Sequence, residues 1–126
     1  MERIQKSQTA NLEIDFNKCP ACYWNQSAKI SYLQRFVIIH SLLYYEFDES
    51  IIPDTKFDVI AKQLYKVQKE HKDSALKSLY YYALHDFNGS TMFNVVQKLN
   101  RKDYAYLTEI ALKVLKMYKE EKSETF

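Results

Sequence analysis

The stretch YYEFDESIIPDTKFD, residues 44–58, decides how the chain is read. Upstream of it, Ile30, Leu33, Phe36, Val37, His40 and Leu43 (with Tyr44) recur at steps of three and four residues. That spacing predicts one face of an amphipathic helix, with Ser27 as its N-cap. Inside the stretch, Pro53 disfavours helical backbone at Ile52, so the first helix must end before it. Asp54 is then placed to cap a second helix by accepting a backbone N–H bond. Phe57, Ile60, Ala61, Leu64, Val67 and His71 follow at helical spacing, with Lys62, Lys66 and Lys69 on the other side. The pattern predicts a helical hairpin over residues 27–72 with its corner at 48–54.

The same stretch carries chemistry. It holds five carboxylates (Glu46, Asp48, Glu49, Asp54 and Asp58) and four aromatics (Tyr44, Tyr45, Phe57 and Phe47), against one cation, Lys56. Aromatic faces attract cations, and carboxylates add Coulomb attraction. The corner is therefore either a solvated turn with a helix cap or a pocket for something flat and positively charged. In the first case Asp54 is a cap and Tyr44 and Phe57 pack across the hairpin.

Beyond the hairpin, Leu76, Leu79, Tyr80, Ala83 and Leu84 predict a third helix from about Ser74 to Asp86. DFNGST (86–91) is a turn in which Asn88-Gly89 permits positive φ. Met92, Val95, Val96 and Leu99 suggest a short fourth helix. Asp103 is the expected cap of a last one, striped by Tyr104, Leu107, Ile110, Ala111, Val114, Leu115 and Tyr118. Residues 121–126 are expected to fray. Residues 1–25 read as a loose extension, in which LEIDF (12–16) alternates as a short strand would. The expected fold is all-α: about five helices in one compact domain over residues 26–120.

Composition narrows the function classes. The chain has 126 residues, 47% apolar, enough for a core, and a formal charge of +2, too even to announce a nucleic-acid binder. Gly89 is the single glycine, so no glycine-rich phosphate loop can form. Eleven tyrosines suit a small helical core and an interface equally. The sequence has no stretch of roughly 18 apolar residues, so no membrane partner is expected. It also lacks a secretory pattern at its start, and a reducing cytoplasm is the expected location.

Three weaker signals were weighed. Cys19 and Cys22 form a lone Cys-x-x-Cys, which supplies one edge of a zinc site. Completing it would need His40, His71 or His85, so two reduced thiols in a turn are expected and zinc is not. Lys62, Lys66 and Lys69, within a basic stripe, suit phosphate contact as well as an ordinary solvated face. Tyr80, Tyr81 and Tyr82 are able to stack on bases but are expected to be core and rim. No nucleophile, base and orienting group are assembled by the sequence, and no enzymatic activity is expected.

Residues 30–73 resemble the small N-terminal helical domain of bacterial NAD-dependent DNA ligases. The resemblance rests on the aromatic helix end Tyr44-Tyr45, the corner Ile52-Pro53-Asp54, the following Phe57-Asp58, and Lys-Glu-His at 69–71. In those ligases the domain holds the nicotinamide mononucleotide half of NAD. The resemblance implies that Tyr44 stacks on the nicotinamide and that Asp54 and Asp58 flank it. Tyr45 stands where the family has histidine. Phe57 stands where it has tyrosine, which removes a hydroxyl. The adenylation motif Lys-x-Asp-Gly is absent, so the chain is not expected to seal DNA. It is more similar to short phage and prophage proteins described as ligase-related, which continue into a tyrosine-rich helix and a turn like YYYALHDFNGSTMF (80–93).

The expectation is a non-catalytic phage-type binding module. Tyr44, Tyr45, Asp54, Phe57 and Asp58 would bind nicotinamide mononucleotide or NAD, or offer the same surface to a protein partner. The alternatives are a phage-encoded inhibitor of a host defence protein such as a CRISPR nuclease, and a nucleic-acid accessory protein.

Overall fold

The computed structural model describes residues 12–89 and 93–124, and within them the chain is all-α with no strand. Six helices follow one another: α1 (Gln26–Phe47), α2 (Asp54–Glu70), α3 (Lys72–Leu76), α4 (Tyr81–Leu84), α5 (Phe93–Lys98) and α6 (Arg101–Glu124). The hairpin is α1 and α2. A short 3-10 turn, Ala21–Tyr23, precedes it.

The first helix is not the one-sided element its spacing predicts. Ile30, Leu33, Val37, Ile38, Ile39, Leu42 and Leu43 are all buried, and together they occupy most of its circumference. A helix that is apolar nearly all round belongs at a centre. Accordingly α1 packs against α2, α3, α5 and α6. Ile60 and Leu64 come in from α2, Leu84 from α4, Val95 and Val96 from α5, and Leu107 and Ala111 from α6.

Capping differs from expectation at three helices. Asn25, not Ser27, is the N-cap of α1: its side chain accepts from Ala28 N–H at 2.9 Å, and Ser27 Oγ donates to the same oxygen. Pro53, not Asp54, holds the N-cap position of α2, and no side chain caps that end. Proline's extended backbone suits the position without a capping oxygen, and Asp54 becomes the first helical residue. At α6, Asn100 Oδ1 accepts from Asp103 N–H at 2.7 Å, while Asp103 itself accepts from Tyr82 Oη.

The predicted third helix is broken into α3 and α4. The cause lies in α1, where Ser31 and Gln34 face the break. Leu79 N–H donates to Ser31 Oγ at 3.0 Å and Tyr80 N–H to Gln34 Oε1 at 3.1 Å. In an unbroken helix those two donors would serve the preceding turn. Gln34 Nε2 also donates to Gln68 Oε1 and Ser78 Oγ, and Gln68 Nε2 to the Leu84 carbonyl. A buried polar network thus replaces two helical hydrogen bonds, and Leu76 and Leu79 turn outward at 59% and 60% exposure.

The chain before α1 is not loose from residue 12 onward. Gln63 presents its amide to Ile14 as a strand would, accepting from Ile14 N–H at 3.0 Å and donating to Ile14 O at 2.9 Å. The alternation of 12–16 is thereby used without a sheet. Phe16, Trp24 and Tyr32 form a ring cluster beside it. Residues 1–11 of the predicted extension lie outside the described residues. The tail is helical to Glu124 rather than fraying from Glu121. No helix among the described residues is long and apolar enough to cross a membrane.

Candidate functional site

The hairpin corner is shaped by how α1 ends. Asp48 adopts a left-handed backbone, φ 53° and ψ 40°, and Glu49 N–H donates back to the Leu43 carbonyl at 2.9 Å. Aspartate tolerates this region better than most residues. The helix is therefore stopped by a C-cap turn five residues before Pro53. Residues 49–52 then run beside the helix ends before α2 begins.

A cavity of about 530 Å³ opens at this corner. All five residues singled out from the sequence, Tyr44, Tyr45, Asp54, Phe57 and Asp58, line it. The tyrosines are not packed across the hairpin: Tyr44 is 54% exposed, and the two rings meet edge to face with centroids 4.9 Å apart. Phe57 is the half-buried aromatic, seated against the core.

The charges are one-sided. Among the described residues Glu49, Asp54 and Asp58 line the cavity and no lysine or arginine does. Glu49 is tied to Lys119 of α6 at 3.1 Å, and Asp58 to Lys62 one turn along α2 at 3.1 Å. Among the described residues Asp54 has no ion-pair partner. Since Asp54 makes no cap, its carboxylate has no structural duty at the helix end beyond favourable interaction with the helix dipole.

The sequence reading missed three contributors. His40 lines the cavity one turn before Tyr44, stacked near Phe36 at 4.3 Å. Burial, and next the nearby Lys56 charge, lower its pKa from 6.5 to about 4, so its imidazole is neutral at pH 7. Ser41 lines the cavity one turn before Tyr45; it is 1% exposed, and its hydroxyl is buried with no hydrogen-bond partner. The i, i+4 step to the two tyrosines was the available signal for both. Gly89 closes another side of the cavity. Its φ of +86° fits the predicted turn, and a Cβ there would meet Tyr65 Cβ at 3.3 Å, so only glycine lets the turn lie this close to α2.

The remaining candidates fall elsewhere. Lys62 is committed to Asp58, and Lys66 is exposed and lines neither this cavity nor a second one farther along α2, which Lys69 does line. Cys19 and Cys22 lie side by side in one turn, with Cα atoms 4.9 Å apart. The turn that brings them together has Cys22 N–H donating to Lys18 O at 3.2 Å. His71 is exposed beyond α2. No group of three or more metal-ligating side chains occurs among the described residues.

The cavity volume lies in the roughly 300–1,000 Å³ range of small-molecule sites. Its lining offers two exposed aromatic rings, a seated third ring, carboxylates and a neutral imidazole. Aromatic faces and carboxylates are groups that attract cations. Comparison with family models, curated proteins and solved structures finds no match to this chain.

Proposed function

We propose that this chain is a non-catalytic binding module whose hairpin cavity takes the cationic ring of a nicotinamide nucleotide, free or as NAD. The observation that carries the reading is the convergence of Tyr44, Tyr45, Phe57, Asp54 and Asp58 on one cavity without a lining lysine or arginine. The oxidised nicotinamide ring is a flat pyridinium with permanent charge. The tyrosines would stack on it, the aspartates would neutralise it, and neutral His40 would not repel it. Lys56 and the first turn of α2 are the nearest groups for the phosphate. The resemblance to the ligase domain points the same way, and the missing adenylation lysine motif argues for binding without catalysis.

The test compares two ligands of nearly one shape: 1-methylnicotinamide, methylated on the ring nitrogen and cationic, and nicotinamide, which is neutral. The cation should bind about tenfold tighter or better, the factor that ~1.4 kcal/mol of charge interaction provides. Equal affinities, or no binding by either, would overturn the reading.

A second reading is favoured by a different feature. Leu76 and Leu79 stand out from the break between α3 and α4, both more than half exposed. Such a patch suits docking on a host protein, as a phage-encoded inhibitor of a defence enzyme would do. Replacing both leucines with lysine would abolish that docking while leaving pyridinium binding intact.

A further inference from the structure

A second cavity, about 490 Å³, lies farther along α2, between its last turns, α3 and the segment after α4. Its charge is opposite to that of the first. Among the described residues Lys69 and Lys72 line it and no carboxylate does. Among the described residues neither lysine lies within 4 Å of an acidic group, whereas Asp58, Asp86, Glu109 and Glu49 all hold a lysine. The lining cations thus stand unneutralised beside aromatic surface. Tyr81 and His85, one turn apart, present rings 5.3 Å between centroids and 33° from coplanar. The Tyr65 ring lies opposite in sequence on α2, with Lys69 Nζ 5.8 Å from its centroid. The floor is fixed, because the buried Gln68 amide is engaged by Gln34 and by the Leu84 carbonyl.

We infer that this cavity is a site for a phosphorylated nucleoside, with the base against the Tyr81–His85 wall and the phosphate on Lys69 and Lys72. Stacking and ammonium–phosphate contact are the two interactions such a ligand needs, and they are sequence-tolerant. An aliphatic anion would leave the ring wall unused, and a neutral aromatic would leave two lysines unpaired. The volume suits one nucleotide, either free or as one unit of a single strand. The inference does not depend on the hairpin cavity, whose lining carries Glu49, Asp54 and Asp58 instead of lysines.

The test titrates the full chain with ADP and, separately, with a ten-residue oligothymidylate, each at low and at physiological salt. The variants are Lys69→Ala/Lys72→Ala, Tyr81→Leu and Asp54→Asn. Binding of ADP or of the oligonucleotide should fall about tenfold or more in the lysine variant and in Tyr81→Leu, weaken with salt, and be unaffected by Asp54→Asn. Binding of ADP alone assigns a free nucleotide, and binding confined to the oligonucleotide assigns a strand. The two lysines are exposed, so their variant keeps the fold, which a thermal melt verifies. Absence of binding by both probes at millimolar concentration, or binding that the lysine variant leaves unchanged, would overturn the inference.

Discussion

Asp58 and Lys62 lie one turn apart on α2, with Lys62 Nζ 3.1 Å from Asp58 Oδ2 at the rim of the hairpin cavity. Both side chains are largely exposed, so the pair contributes little to stability, on the order of 0–1 kcal/mol. It does, however, compete for the carboxylate. Lys62→Met should therefore strengthen pyridinium binding about two- to threefold, the equivalent of a surface pair, and Asp58→Asn should weaken it by more than that. The check is a titration of 1-methylnicotinamide into each variant at low salt, with the difference shrinking as salt is raised.

Ser41 gives a stability prediction. Its hydroxyl is buried and unpaired, which costs the empty protein desolvation energy. Ser41→Ala should raise stability by about 1 kcal/mol in denaturant unfolding without ligand. A hydroxyl that carries no such cost would leave the unfolding midpoint unchanged in Ser41→Ala.

His40 sets a pH dependence. Its pKa is about 4 in the folded protein and about 6.5 unfolded, through burial first and the Lys56 charge second. Between those values the unfolded chain binds the extra proton, so stability rises with pH there and is fully present above pH 6.5. Acidification from pH 6.5 through pH 4 should cost at most about 3 kcal/mol from this group. His40→Gln should flatten that part of the profile. Urea unfolding of both proteins at pH 7 and pH 4.5 isolates the difference from other acid effects.

Gln34 holds the break between α3 and α4. Gln34→Leu would strand Tyr80 N–H and leave the Gln68 and Ser78 side chains short of a partner in a buried setting. The expected loss is about 2–4 kcal/mol, larger than a typical core hydrogen bond because several groups lose partners together. Unfolding in guanidinium measures it, with Gln68→Leu as the neighbouring comparison.

The hairpin and its cavity were legible because their determinants are local. Pro53 stops helical backbone, and Tyr44, Tyr45, Asp54, Phe57 and Asp58 sit within fifteen residues of one another. The third helix was misread because Leu76 and Leu79 keep helical spacing, while the decision to break it is made by Ser31 and Gln34, more than forty residues away in sequence. Ser41 carried no compositional signal, since a serine inside a helix pattern resembles any small filler. Gly89 was read correctly as a turn residue, but its place against α2 depends on packing that no local pattern encodes. Asp54 was assigned to a cap because aspartate favours that position, and Pro53 occupied it instead.

The most direct test of the central claim is a calorimetric titration of nicotinamide mononucleotide and NAD into the wild-type protein and the Asp54→Asn/Asp58→Asn variant. The account predicts saturable binding by the wild type and about tenfold or greater loss in the variant, with its fold intact by circular dichroism. No heat from the wild type at millimolar ligand, or equal binding by the two proteins, would contradict it.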